Sequence, residues 1–380
     1  MSEDENEMEQ YGVSDDSCLA FQAHDQDAFT VAICKDKYIA SGGEDDRAFL
    51  WDWGLESETP LKIEHKDSVF SVGFNHSGAL LATADLSGLV IITNTADGSI
   101  KYSLEETGDL EWALWHPKKN FYFAGAKDGT TWLFDLTDDE AAFPDFKTYP
   151  SHGAVTTVGC CTPDGSRLLV GYEDGMLKSF DIDNGTSLSK YIGTSVSYIA
   201  HHPTLTITFA GTLAGNVYTM NTNAKDGLTV FSTASADENP VRMKPKNDMD
   251  EEEEASITES VEAIAVSEKN NFYAVGRNDG SIKVYDVQHS SPRSVIRSPS
   301  GLAINNCLCV YRRDKTLLLA GSVDGTVKLM DPRDGAVEKE YGCGGDAVLD
   351  MKILRMEPLK FIASCSGGML RVFDDSVATE

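Results

Sequence analysis

Residues 170–181, VGYEDGMLKSFD, decide the fold of this chain. An apolar, β-prone run reaches a Glu-Asp-Gly turn and returns as an alternating run, with Met176, Lys178 and Phe180 on one face. Gly175 supplies the positive φ angle that a tight turn requires. The stretch therefore predicts a β-hairpin.

Related hairpin strings recur along the chain. The other copies are SGGEDDRAFLWD (41–52), ATADLSGLVIITN (82–94), AGAKDGTTWLFD (124–135), AGTLAGNVYTMN (210–221), VGRNDGSIKVYD (275–286), AGSVDGTVKLMD (320–331) and SCSGGMLRVFD (364–374). Successive turns are 41, 41, 46, 40, 65, 45 and 43 residues apart. A repeat of about forty residues with one hairpin in each is the signature of a β-propeller with four-stranded blades. The sequence predicts an all-β, eight-bladed propeller.

The two ends of the sequence predict how this ring closes. After the last hairpin, which returns through Met369 to Asp374, too few residues remain for the fourth strand of a blade. A β-prone segment, SCLAFQAH (17–24), precedes the first hairpin. We expect Ser17 to Gln22 to complete the last blade, because closure removes an open sheet edge.

The propeller is predicted to span residues 13–375. Residues 1–12 form an acidic leader with few apolar groups, which predicts disorder, and residues 376–380 form a tail. The one long interval contains the run ADENPVRMKPKNDMDEEEEASITES. Its charge and proline content predict a disordered acidic insertion at about residues 236–259 rather than an added domain.

The chain carries a formal net charge of −29. The leader and the insertion hold only part of that charge, so the propeller body is itself acidic. An acidic body repels nucleic acid and anionic lipid and favours a cationic partner. We therefore expect no direct binding to nucleic acid.

Composition also limits the compartment. No apolar run reaches the length of about 18 residues that suggests a membrane-spanning helix, and the N-terminus lacks the basic and apolar regions of an export signal. Eight cysteines without a C-x-x-C motif fit a reducing compartment. We expect a cytoplasmic protein without a transmembrane segment, with the nucleus as a second compartment.

The returning strands AFLWD, IKVYD, VKLMD and LRVFD resemble those of the WD-repeat family, whose blades often end on Trp-Asp. Only Trp51-Asp52 keeps that pair. The resemblance implies that a His before each blade bonds to an Asp of the hairpin turn, which would pair His24 with Asp45 and His152 with Asp174. A structural role is favoured over a catalytic one, because the pattern recurs by repeat and has no nucleophile at a defined spacing.

Motifs of catalysis are missing from the sequence. It contains no P-loop, no G-x-G-x-x-G, no H-E-x-x-H and no G-x-S-x-G. Cys307 and Cys309 would lie on one strand face, which permits a metal site, although buried reduced thiols are the favoured interpretation. We expect a non-catalytic, monomeric binding protein without a cofactor or metal.

In WD-repeat propellers the hairpin turns and the segments before the inner strands share one rim, called the top. The recurrent turn acids Asp45, Asp128, Asp174, Asp279 and Asp324 are expected to be structural. The surplus acids on blades one to four are predicted to bind a partner: Glu44, Asp46, Asp85, Asp109, Glu111 and Glu173. Two of these have alternatives, since Asp109 fits the turn before its strand and Glu111 fits a structural role equally well.

Aromatic anchors are expected beside these acids. Exposed ion pairs contribute only about 0.2–1 kcal/mol each, so charge alone does not give a tight complex. Trp112 and Tyr172 are the aromatic residues that the sequence places best for this role. The core of blade three is the alternative position for Trp112.

Five strings in matching order, GGEDDRAFLW, HKDSV, ATADLSGLV, GDLEWALWHP and VGYEDG, resemble the angio-associated migratory cell protein family. More distantly the chain resembles fungal WD-repeat chaperones that hold a basic large-subunit ribosomal protein. The resemblance implies a chaperone or assembly adaptor in ribosome biogenesis, with a basic ribosomal protein segment as partner. The alternative that it leaves open is a scaffold in cell migration or signalling near the cell cortex.

Overall fold

The structure of the chain is a computed structural model that describes residues 14–35, 37–53, 59–222, 228–235, 259–312 and 315–376. It contains eight antiparallel sheets of four strands. The inner strand of each sheet contacts the inner strands of both neighbouring sheets, so the sheets form a closed ring. The predicted all-β, eight-bladed propeller is confirmed. The predicted leader (1–12), nearly all of the predicted insertion (236–259) and most of the predicted tail (376–380) lie outside the described residues.

The first strand, β1 (Leu19–Gln22), is the outer strand of the last blade, and the first four blades follow it in order from the innermost strand outward. Blade one comprises β2 (Thr30–Cys34), β3 (Tyr38–Gly42), β4 (Arg47–Asp52) and β5 (Leu61–Glu64). Blade two comprises β6 (Val69–Phe74), β7 (Leu80–Asp85), β8 (Val90–Asn94) and β9 (Ile100–Leu104). Blade three comprises β10 (Leu110–Trp115), β11 (Phe121–Ala126), β12 (Thr131–Asp135) and β13 (Asp145–Tyr149). Blade four comprises β14 (Thr156–Cys161), β15 (Arg167–Tyr172), β16 (Met176–Asp181) and β17 (Ser187–Tyr191).

The second half of the ring repeats the same order. Blade five comprises β18 (Val196–His201), β19 (Ile207–Thr212), β20 (Val217–Asn221) and β21 (Thr229–Ala234). Blade six comprises β22 (Val261–Val266), β23 (Phe272–Arg277), β24 (Ser281–Asp286) and β25 (Pro292–Arg297). Blade seven comprises β26 (Ile304–Arg312), β27 (Lys315–Ser322), β28 (Thr326–Met330) and β29 (Val337–Gly342). Blade eight comprises β30 (Val348–Arg355), β31 (Lys360–Cys365), β32 (Met369–Asp374) and β1, with a 3-10 turn at Ser366–Gly368 before β32.

The core lies between neighbouring blades, and glycines in the second strands allow the blades to approach closely. A Cβ atom on Gly171 would lie 2.6 Å from Val196 of blade five, and one on Gly211 would lie 2.4 Å from Val261 of blade six. These distances are shorter than van der Waals contact. The Ala-Gly and Val-Gly pairs of the repeated hairpins therefore serve packing of one blade against the inner strand of the next.

Closure follows the prediction from the sequence ends. Leu19 pairs with Val372 and Gln22 pairs with Met369, so β1 covers the edge of β32. The residues just before β1 also reach blade seven, where the Asp16 amide donates to the carbonyl of Gly342 at 3.0 Å. The N-terminal part of the described chain therefore joins blades seven and eight. Among the described residues, no helix is long and apolar enough to cross a membrane.

Candidate partner-binding face

The top face of the ring is built the same way in successive blades. In each of the first four blades, the hairpin turn between the second and third strands donates a backbone hydrogen bond to the segment that precedes the inner strand. These bonds run from Glu44 to Asp27, from Leu86 to Ser68, from Lys127 to Asp109 and from Glu173 to Val155, at 2.9–3.1 Å. Turns and segments therefore lie at one end of the blades. We call this end, with its turns and segments, the top face.

Histidine–aspartate pairs hold the top face together. The Nδ1 atom of His24 lies 2.7 Å from Asp45, and its Nε2 atom lies 2.6 Å from the hydroxyl of Ser41. Burial lowers the pKa of His24 and outweighs the opposite effect of Asp45, which favours the neutral ring. His152 lies 2.9 Å from Asp174. Both pairs predicted from the sequence are confirmed, and they are structural.

Asp85 belongs to a third pair of this kind and is not a surface acid. Its side chain is fully buried and lies 3.2 Å from Nδ1 of His65. It also accepts hydrogen bonds from the Lys66 amide, the Ser87 hydroxyl and the Leu89 amide at 2.8–3.0 Å. Burial alone would raise the pKa of Asp85, but these hydrogen bonds outweigh it and lower the pKa to about 2. The structure corrects the assignment of Asp85 to partner binding, because its carboxylate is buried and accepts hydrogen bonds from groups within the protein.

A nearly constant separation in sequence could have revealed this third pair. The three aspartates follow their histidines by 21, 20 and 22 residues. Alignment on the turn glycines instead placed Asp85 among the surplus acids. Alignment on the histidines would have placed it with Asp45.

The other predicted acids lie on the top face with accessible carboxylates. Glu44, Asp46 and Glu173 are exposed, and among the described residues none of them has a Lys or Arg partner. Asp109 and Glu111 come together on one cation, since Nζ of Lys127 lies 3.6 Å from the first and 3.9 Å from the second. Lys127 thus leaves a net negative charge at this point. Their role in binding a partner stays a prediction.

Cations on this face are already engaged by acids. Arg47 lies 2.6 Å from Asp25, and Lys66 lies 2.7 Å from Glu105. Arg297 on blade six lies 3.8 Å from Asp279. The exposed acids without a cation therefore give the face of blades one to four a negative potential that attracts a cationic partner.

The two predicted aromatic anchors lie inside the ring wall. Trp112 is 6% exposed, and its ring fills the space left by Gly125 and Gly159, so it packs blade three against blade four. Tyr172 has no exposed surface and packs edge-on against His152, with ring centroids 4.4 Å apart. The structure corrects both assignments, because neither ring is accessible to a partner.

A different set of residues surrounds the mouth of the central channel at the top face. In blades two to eight each lies one residue after the buried residue that begins the inner strand; in blade one, Phe29 follows the buried Ala28 and lies just before β2. All are half-buried. In order of blades one to eight they are Phe29, Phe70, Glu111, Thr157, Ser197, Glu262, Asn305 and Leu349. We call them the mouth ring.

The polar members show where these side chains point. The hydroxyl of Thr157 donates to the carbonyl of Val196 at 2.6 Å, and that of Ser197 donates to Val261 at 2.7 Å. Asn305 donates in the same way to Val348 at 3.3 Å. Each acceptor is the first residue of the neighbouring inner strand, so mouth-ring side chains lie along the rim of the channel. Of the predicted residues, only Glu111 belongs to this ring.

Cysteine chemistry is not part of this face. Burial raises the pKa of Cys307 and of Cys309 to about 12, which keeps both as protonated thiols. Within the ranges that the structure describes, no group of His, Cys, Asp and Glu is arranged to hold a metal ion.

The ring, its histidine–aspartate pairs and its hairpin turns define a WD-repeat β-propeller. The family model of the WD domain, G-beta repeat, matches residues 58–102 and 145–181, and that of the nucleolar protein 10-like N-terminal domain matches residues 183–340. The chain belongs to the angio-associated migratory cell protein family. It is 31% identical to the Homo sapiens member over 346 residues, which covers 89% of this chain and 76% of that protein.

A second relative is ribosome assembly protein SQT1 of Saccharomyces cerevisiae, which is 23% identical over 385 residues, covering 93% of this chain and 84% of that protein. The crystal structure of S. cerevisiae Sqt1 superposes with a TM-score of 0.80 at 19% identity, over 95% of this chain and 99% of that one. That of Chaetomium thermophilum Sqt1 bound to the N-terminus of the ribosomal protein L10 gives 0.78 at 20% identity, over 95% and 100%. Both structures share the fold, and both resemblances predicted from the sequence are confirmed.

Proposed function

We propose that this chain is a non-catalytic assembly chaperone that holds a Lys/Arg-rich segment of a ribosomal protein on its acidic top face. The observation that carries the proposal is the set of accessible carboxylates on blades one to four, which the described cations neutralise only in part. The relationship to a ribosome assembly protein, and to an Sqt1 propeller bound to the N-terminus of ribosomal protein L10, supports a ribosomal client.

The strength of the electrostatic contribution determines how such a client is held. Each exposed ion pair contributes about 0.2–1 kcal/mol, whereas a micromolar complex requires about 8 kcal/mol. Rim charges therefore set mainly the association rate and the salt dependence. Apolar contacts of the client must provide much of the remaining affinity.

The test is a reversal of charge that leaves the fold intact. The variant changes Glu44, Asp109, Glu111 and Glu173 to Lys. Asp46 is kept, because its φ angle of 59° lies in the left-handed region, which disfavours Lys. We expect tagged wild-type protein to recover one dominant basic ribosomal protein from a lysate and the variant to lose it.

A matched control places the same charge change on the opposite face. Asp139, Glu140, Asp145 and Asp183 are exposed and lie in or beside turns that join third and fourth strands, away from the top face. Changing these four to Lys should leave recovery of the client unchanged. A folded top-face variant that still captures the client at physiological salt would contradict the proposal. Recovery of signalling or cytoskeletal proteins instead of a ribosomal protein would favour the migration scaffold.

A further inference from the structure

Three consecutive members of the mouth ring are apolar. Leu349 of blade eight, Phe29 of blade one and Phe70 of blade two are half-buried at the mouth of the channel. Phe70 packs partly against the core between blades two and three, and part of its side chain remains exposed. We call these three residues the apolar arc.

Other blades of the same ring carry polar side chains at these positions. At the equivalent positions of blades four, five and seven, Thr157, Ser197 and Asn305 each donate a hydrogen bond to the next inner strand. Phenylalanine and leucine cannot donate that bond, and they leave apolar surface beside water at the channel mouth. The residues of the apolar arc therefore lack the hydrogen bond to the next inner strand that these polar members of the mouth ring form.

Carboxylates border the arc on two sides. The Glu44 amide donates to the carbonyl of Asp27, two residues before Phe29, and the Glu44 carbonyl lies 3.4 Å from the Ser68 hydroxyl, two residues before Phe70. Glu111 is the next member of the ring after Phe70. An apolar surface and accessible negative charges thus lie side by side.

We infer that the apolar arc receives one bulky apolar or aromatic side chain of a client segment whose flanking Lys or Arg residues meet the surrounding carboxylates. This inference rests on the proposed function and makes it specific, because the face selects a basic segment with an apolar anchor over one that is only basic. A buried anchor contributes mainly to residence time, whereas the rim charges contribute mainly to association.

Two labelled synthetic peptides test this selection on the unchanged protein. Both are twelve-residue, Lys/Arg-rich peptides of equal charge; one carries a central Phe and the other carries Ala there. We expect fluorescence anisotropy to show at least tenfold tighter binding of the Phe peptide, which corresponds to about 1.4 kcal/mol. The ratio should persist at high salt while both affinities fall.

Substitutions that introduce residues found at other positions of the mouth ring test where the Phe side chain of the peptide binds. Phe29→Ser, Phe70→Thr and Leu349→Asn introduce residues that blades five, four and seven carry at the same position, so the variants are expected to fold. Each should reduce the preference for the Phe peptide severalfold, and the double variant F29S/F70T should abolish it. The matched control is Phe146→Thr on blade three's outer strand, where the ring is 51% exposed; it should keep the full preference.

The outcomes separate this inference from the proposed function. Equal binding of both peptides by the wild-type protein would overturn the inference and leave the acidic face intact as a binding site. A preference that survives in folded F29S/F70T would also overturn it, because the anchor would then bind elsewhere. Binding of neither peptide would overturn the proposed function, and the inference with it.

Discussion

Replacement of Asp85 by Ala would distinguish a carboxylate that holds the fold from one that binds a partner. The substitution removes the acceptor of four hydrogen bonds, donated by His65, Ser87 and the backbone amides of Lys66 and Leu89. The Leu89 amide lies in a buried hydrogen bond and has no access to water as a substitute. A buried donor left unsatisfied costs about 1–3 kcal/mol, so we expect a loss of about 3–5 kcal/mol in the free energy of unfolding.

The assay is thermal or denaturant unfolding followed by calorimetry and tryptophan fluorescence, with peptide affinity measured on the same preparations. Asp85→Ala should lower the unfolding midpoint by several degrees and leave the affinity of the folded protein for a basic peptide unchanged. Glu44→Ala, at an exposed acid of the same face, should change stability by no more than about 0.5 kcal/mol and slow association instead.

One result would refute this reasoning. If Asp85→Ala kept the wild-type midpoint but lost peptide binding, the carboxylate would have to be accessible to the client, as the sequence alone suggested. Asp85→Asn offers a second measurement, because it keeps the shape and one acceptor oxygen. Its stability should fall between those of the wild type and the Ala variant.

Further predictions follow from the same contacts. The pKa of Asp85 is lowered to about 2 in the folded protein, so its contribution to stability is present above its pKa in the unfolded chain, about 3.9, and is lost as the pH falls towards 2. The acid-induced loss of stability should therefore be smaller in Asp85→Asn than in the wild type. A chain beginning at residue 24 lacks β1 and should unfold at a clearly lower temperature than one beginning at residue 14, since it exposes the edge of β32; equal midpoints would argue against the shared blade. Trp112→Ala should cost about 3–5 kcal/mol of stability through the cavity between Gly125 and Gly159 and leave the affinity of the folded protein for basic peptides unchanged, whereas a binding role for Trp112 would show the reverse.

The fold could be predicted from the sequence because each hairpin is a local pattern. Each hairpin pattern, an apolar strand, a turn glycine and a returning strand of alternating polarity, spans about twelve residues. Its repetition every forty residues or so then indicates the architecture. The closing strand was also predictable, since the last hairpin lacked a fourth strand and SCLAFQAH supplied one. These inferences required no knowledge of which side chains meet in space.

The site was only partly predictable, because bulges interrupt the alternation. In blade three the register shifts between Leu110 and Trp112, with Glu111 as the additional residue. Strict alternation would place Leu110 and Trp112 on the face opposite Glu111, but it does not predict how deeply the side chains on either face are buried. The bulge turns Glu111 to the channel mouth, while Trp112 enters the space between two blades.

The mouth ring escaped prediction for a different reason. Each blade contributes one residue, so its members are about forty positions apart and have no local motif. Superimposing the segments HDQDAF and HKDSVF on their histidines would have aligned Phe29 with Phe70. That alignment would have suggested aromatic residues at the channel mouth in place of Trp112 and Tyr172.

Blade six shows why acidity identifies a binding face only after burial is known. Arg277 pairs with the first residue of its inner strand, as Asp85 does in blade two, but it carries the opposite charge. Glu259 lies 3.4 Å from Arg277 and 2.9 Å from Lys283, and all three side chains are buried. Equivalent buried positions can thus hold a side chain of either charge when a partner of opposite charge or enough hydrogen bonds stabilise it. Neither of these buried charges is accessible to a client. Only the accessible carboxylates determine the potential that a basic segment meets, which is why reversing Glu44, Asp109, Glu111 and Glu173 can separate binding from folding.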